Sequence, residues 1–128
     1  MTVGVRVLVV DDEGSIRTVL QRWIELWGYD VASVATADDA ITEMERMPAD
    51  VIFADINMPF HDGIWLLDEV QRRWPKTQVI MESGVEESST VLKAKQHGAV
   101  DFLAKPFGRE MVYQALERAI ARLLTERI

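Results

Sequence analysis

The chain contains no cysteine. Neither a disulfide framework nor thiol chemistry is open to it, a composition that fits a reducing, cytoplasmic setting. Basic residues are scarce: 14 Lys and Arg stand against 21 Asp and Glu, for a net charge of −7. Nucleic-acid binding draws mainly on Lys and Arg contacts to phosphate, so direct binding of DNA or RNA is not expected. No apolar run is long enough to span a membrane. The N-terminal run, Val3 to Val10, is interrupted by Arg6 and followed by Asp11, Asp12 and Glu13. No small-residue cleavage site follows, so a buried first strand is the better reading. Internal repeats, low-complexity stretches and linkers are also lacking. A length of 128 residues suffices for one domain with a real core and is too short for two.

Against these absences stand four short apolar runs, each ending on a reactive polar residue. Val7 to Val10 ends at Asp11-Asp12, and Val51 to Ala54 ends at Asp55. Val79 to Met81 leads through Glu82 to Ser83, and Phe102 to Ala104 ends at Lys105-Pro106. Runs this short and apolar read as strands buried on both faces. Between them lie helical patterns. Ile16, Val19, Leu20, Trp23, Ile24 and Trp27 recur at helical spacing and stop at Gly28. A second strand covers Val31 to Val34. Thr36 is placed to cap a helix carrying Ala40, Ile41, Met44 and Met47, closed by Pro48. A loop from Asn57 to Gly63 holds the turn pair Asp62-Gly63. Leu66, Leu67, Val70 and Trp74 form the stripe of a third helix. A weaker fourth runs from about Glu86 to His97, and the last carries Val112, Ala115, Leu116, Ala119, Ile120 and Leu123. Five βα units without hairpins predict an α/β, doubly wound (βα)5 fold, a five-stranded parallel sheet with helices on both faces.

In such a sheet the strand ends share one edge, where open α/β folds place their chemistry. Asp11, Asp12 and Asp55 would then crowd together, and like charges raise one another's pKa. A divalent cation removes the conflict, and carboxylate and carbonyl oxygens suit Mg2+ or Mn2+. One carboxylate could then act as nucleophile toward a phosphoryl group, with Lys105 and the Ser83 hydroxyl on phosphoryl oxygens.

VLVVDDE at 7–13, DVIFADINMP at 50–59, DG at 62–63, VIMESG at 79–84 and FLAKPF at 102–107, in this order and spacing, resemble the receiver domain of two-component response regulators. The resemblance covers essentially the whole chain. It implies the strand order 2-1-3-4-5 and assigns roles. Asp55 resembles the phosphoacceptor, Asp12 the direct metal ligand, and Asp11 the ligand acting largely through metal-bound water. The backbone carbonyl of Asn57 resembles a further metal contact. Ser83 matches the hydroxyl residue that swings toward the phosphoryl group, Lys105 the phosphate-binding lysine, and Phe102 the aromatic switch. Lys105-Pro106 matches a peptide bond usually found cis. The family implies a histidine kinase or histidine phosphotransfer protein as donor. It also implies an output surface on the fourth helix, fifth strand and fifth helix, engaging an effector domain or protein. Receivers catalyse their own phosphorylation and dephosphorylation and are not multiple-turnover enzymes.

Several positions depart from the family pattern. Ser83 replaces the commoner threonine, and Phe102 lacks a phenol. Glu82 stands where relatives are apolar or small, and reads as a solvated strand-end residue. Trp65 lies off the apolar stripe, either exposed or packed on its own loop, and His61 reads as a solvated loop residue. The last helix carries apolar positions to Leu124 and Ile128, either leading into a linker or forming part of a homodimer surface. The 128 residues read as a single receiver domain with no effector domain. Two other readings are open. A haloacid-dehalogenase-like phosphatase also forms an aspartyl phosphate, but it has a second aspartate two residues after its nucleophile; Asp11 is followed there by Glu13 and Asp55 by Asn57. A phosphorylation-independent interaction module would be expected to have lost some of Asp12, Asp55, Ser83 and Lys105.

Overall fold

A computed structural model describes residues 4–84 and 88–126. Five strands alternate with five helices: β1 (Arg6–Val10), α1 (Gly14–Leu26), β2 (Asp30–Val34), α2 (Ala37–Arg46), β3 (Val51–Asp55), α3 (Gly63–Arg73), β4 (Gln78–Ser83), α4 (Ser88–Gln96), β5 (Asp101–Ala104) and α5 (Arg109–Glu126). All strand pairs are parallel, in the order β2-β1-β3-β4-β5. The doubly wound fold and its strand order are therefore as the sequence implies. Glu86 and Ile128 lie outside the described residues. No helix among those described is long and apolar enough to cross a membrane.

Alternation along the strands divides the core into two layers. Leu8, Val10, Ile52, Ala54, Val79 and Met81 face α2, α3 and α4, where Ala40, Met44, Leu66, Leu67, Val70 and Ala94 are buried. Val7, Val9, Val51, Phe53 and Ile80 face α1 and α5, against Leu20, Ile24, Val112, Ala115, Leu116 and Ala119. Both faces are covered, so the middles of the central strands β1, β3 and β4 are apolar on both sides rather than alternating.

Helix ends follow local chemistry. Thr36 caps α2, its hydroxyl accepting from the Asp39 N–H at 3.0 Å. Gly28, at φ 92°, ends α1: its N–H donates to the Glu25 carbonyl and the Tyr29 N–H to the Ile24 carbonyl. Two expectations are corrected. Met47 is not on the buried face of α2; the backbone turns extended there, and the side chain is 45% exposed. Asp62-Gly63 is a helix start, not a free turn, because the Asp62 side chain accepts from the Trp65 N–H at 2.9 Å.

Candidate functional site

Asp11 follows β1, Asp55 ends β3, Glu82 and Ser83 end β4, and Lys105 follows β5. The register pairs Asp55 with Glu82 directly, and Val10, just before Asp11, with Ala54. Asp11, Asp55 and Glu82 thus form a row of carboxyl groups across three adjacent strands, all buried. Asp12 and Glu13 continue into the exposed loop. Ligand oxygens of Asp11, Asp12, Glu13 and Asp55 all lie within 4.8 Å of one another.

Lys105 reaches into this group. Its Nζ lies 3.0 Å from Asp11 Oδ2, 3.1 Å from Glu13 Oε1 and 3.3 Å from Asp55 Oδ2. Burial works against the ammonium, but hydrogen bonds to Asp11 and Glu13 and the charges of Asp55 and Asp11 outweigh it and hold its pKa above the usual lysine value. The Lys105-Pro106 bond is cis.

Burial pushes the Asp55 carboxyl up to about 6, with Asp11 adding to the rise; the Asn57 N–H (3.1 Å to Oδ1) and Lys105 oppose it. Asp55 therefore remains largely ionised at neutral pH. For Asp11 burial also acts upward, but hydrogen bonds from Glu82, the Glu13 N–H (2.9 Å) and Lys105 prevail, so its pKa is lowered.

Glu82 corrects the sequence reading most sharply. The side chain is fully buried, because β4 continues to Ser83 and is covered from both layers. Its Oε atoms accept from no donor among the described residues, and the Asp11 carboxylate lies beside them. A carboxyl facing a carboxylate bonds to it only by keeping its proton. Burial, and then Asp11, accordingly push Glu82 well above the ordinary glutamate range.

Ser83 is buried, and its Oγ accepts from Asn57 Nδ2 at 2.9 Å. This link between the β3–α3 loop and the β4 end was not legible in sequence, nor was Glu13 as a partner of Lys105. The only sequence signal for Glu13 was its place immediately after Asp12. Phe102 is half-buried, its ring against the α2/α3/α4 layer. Trp65 is half-buried and stacks on the His61 ring, with centroids 3.8 Å apart and planes 8° from parallel. Packing on its own loop is thus the observed arrangement. His61 is exposed but not simply solvated, since Nδ1 lies 2.9 Å from Asp38 Oδ1.

Four clustered oxygen-donor side chains, with no nitrogen or sulfur ligand in the group, fit a hard divalent cation. A buried carboxylate held between an ammonium and a backbone N–H, open to an acidic mouth, is equipped to accept a phosphoryl group.

Residues 7–117 match the family model of the response regulator receiver domain, and the chain belongs to that family. It is 34% identical over 116 residues to the chemotaxis protein CheY of Thermotoga maritima, covering 90% of this chain and 97% of the relative. It is 32% identical over 115 residues to the transcriptional regulatory protein ZraR of Salmonella typhimurium, covering 90% of this chain but 26% of the relative. Among solved structures, the chemotaxis protein CheY4 of Vibrio cholerae superposes with a TM-score of 0.85 at 29% identity, over 90% of this chain and 98% of that one. The chain thus spans about a quarter of the length of ZraR and nearly all of a CheY protein.

Proposed function

We propose that the 128 residues are one receiver domain, acting in the cytoplasm, that accepts a phosphoryl group on Asp55 from a phosphohistidine on a histidine kinase or phosphotransfer protein. The observation that carries this is the buried Asp55 carboxylate, 3.3 Å from Lys105 Nζ and held by the Asn57 N–H. An Asp55 Oδ atom forms a bond to phosphorus as the donor's P–N bond breaks. The bonding pair leaves with the imidazole, which takes up a proton. Lys105 balances charge on the transferring group, and the Ser83 hydroxyl donates to a phosphoryl oxygen. Asp11, Asp12, Asp55 and the Asn57 backbone carbonyl would hold Mg2+ or Mn2+. Such an ion, when bound, screens the repulsion between carboxylate and phosphoryl group.

Phosphate contacts then favour the state in which Ser83 turns to the phosphoryl group and Phe102 follows it inward. That shift alters the α4-β5-α5 surface, read by an effector domain or protein or by a second copy of the chain. The acidic surface is not suited to nucleic acid. Hydrolysis of the acyl phosphate resets the domain, which turns over no other substrate.

Incubation with a small-molecule acyl phosphate and Mg2+ should add one phosphoryl group by intact mass, and Asp55→Asn should abolish the addition. Phosphorylation persisting at another residue overturns the assignment. Steady turnover of phosphomonoesters would instead favour a phosphatase.

A further inference from the structure

Phe60 is 94% exposed and has φ 68°. A bulky side chain rarely adopts this left-handed conformation, which Gly or Asn accepts at lower cost. The ring therefore contributes little burial and imposes backbone strain, and no packing among the described residues compensates. The residue is nonetheless firmly placed. The loop rises from β3, where Met58 is buried, and returns so that the Gly63 N–H donates to the Ile56 carbonyl at 2.9 Å. Just past Phe60, His61 is clamped between the Trp65 ring and Asp38. Phe60 is thus presented on a braced loop at the edge of the sheet where Asp55 lies.

The surroundings suggest what it meets. Asp12 and Glu13 after β1, Asp38 and Asp39 in the first turn of α2, and Asp62 at the cap of α3 are all exposed. This rim is acidic and suits a partner carrying basic side chains around an apolar pocket. Asp55 itself is 3% exposed, so a macromolecular donor must come close over this edge to reach it.

We infer that Phe60 is a docking anchor for the protein that delivers the phosphoryl group, its ring entering an apolar pocket rimmed by basic residues. This rests on the phosphoacceptor reading above. A rigid, exposed aromatic on a preorganised loop is the kind of residue that carries a large share of binding energy.

The test uses the full chain with two donors: a small-molecule acyl phosphate, and the source organism's own histidine kinase and phosphotransfer domains, each purified and radiolabelled on histidine. In Phe60→Asn, transfer from the protein donor that labels the wild type should fall roughly tenfold or more. Phosphorylation by the small molecule should be unchanged, and the thermal midpoint equal or higher. Phe60→Tyr should retain the protein-dependent rate. Wild-type transfer from the protein donor to Phe60→Asn overturns the inference, as does an equal loss with both donors. A wild type labelled by the small molecule but by none of the histidine-phosphorylated proteins also overturns it, leaving the phosphoacceptor reading intact. A wild type labelled by neither donor overturns both.

Discussion

Glu82 places a carboxyl group where water cannot solvate it and where its nearest partner is another carboxyl. Its folded-state pKa lies above the unfolded value near 4.5. Below that value the group is protonated in both states and costs nothing further. As the pH rises past it, the unfolded chain releases the proton while the folded chain retains it, and stability falls. Replacing a buried acidic group with an apolar one of similar volume is often stabilising. Glu82→Met should therefore raise stability at neutral pH by about 1–3 kcal/mol in urea unfolding, a gain that shrinks as the pH is lowered toward the ordinary glutamate value. A variant less stable at neutral pH would show that Glu82 holds Asp11 in place by a bond worth more than its burial costs. Asp11, Asp12, Asp55 and Lys105 were legible because each terminates an apolar run and the runs fall in a family order. Glu82 terminates a run too, but its burial depends on how far β4 extends and on what covers it. Both are set by tertiary packing. The backbone angle of Phe60 is likewise fixed by the return of the loop, and nothing in the residue itself signals it.

Gly63 joins α3 to the site. A Cβ there would lie 2.4 Å from the Asp55 carbonyl oxygen and 2.8 Å from the Ile56 Cα. Both are backbone atoms, so no side-chain rotation relieves the clash. Gly63→Ala should destabilise the domain by about 2 kcal/mol and slow Asp55 phosphorylation by the small-molecule donor. Unfolding and mass measurements on the same sample check both effects; wild-type values for each would show that the helix can shift without cost. The elements themselves were readable from periodicity and stop signals, with Thr36 and Gly28 placed at their observed helix ends. Boundaries moved where competing local signals met. Met47 has the spacing of the α2 stripe, yet the chain before Pro48 is steered out of helical geometry, and the side chain turns to solvent. The Asp62-Gly63 pair looks like a turn in isolation. It became a cap because Leu66, Leu67 and Val70 pull the following segment into the core.

Across the whole molecule, charge is unevenly spread. The net charge of −7 includes the acidic mouth formed by the loop after β1, the first turn of α2 and the loop after β3. A ligand that binds only the folded chain raises its stability by mass action. Millimolar Mg2+ should raise the thermal midpoint of the wild type, and Asp12→Asn should remove most of that increase without large change in the metal-free midpoint. An equal shift in both proteins would indicate general ionic screening rather than a site.

The ammonium that balances this mouth comes late in the chain: Lys105 pairs with Glu13 across a separation of 92 residues. During synthesis, the carboxylates of β1 and β3 emerge from the ribosome long before it does. A nascent chain stalled short of β5 would lack the Lys105 ammonium that pairs with Asp11, Glu13 and Asp55, and the sheet would lack an edge strand. The pocket is therefore closed only by the fifth strand and the residue after it, with α5, which covers one face of the sheet, still to follow.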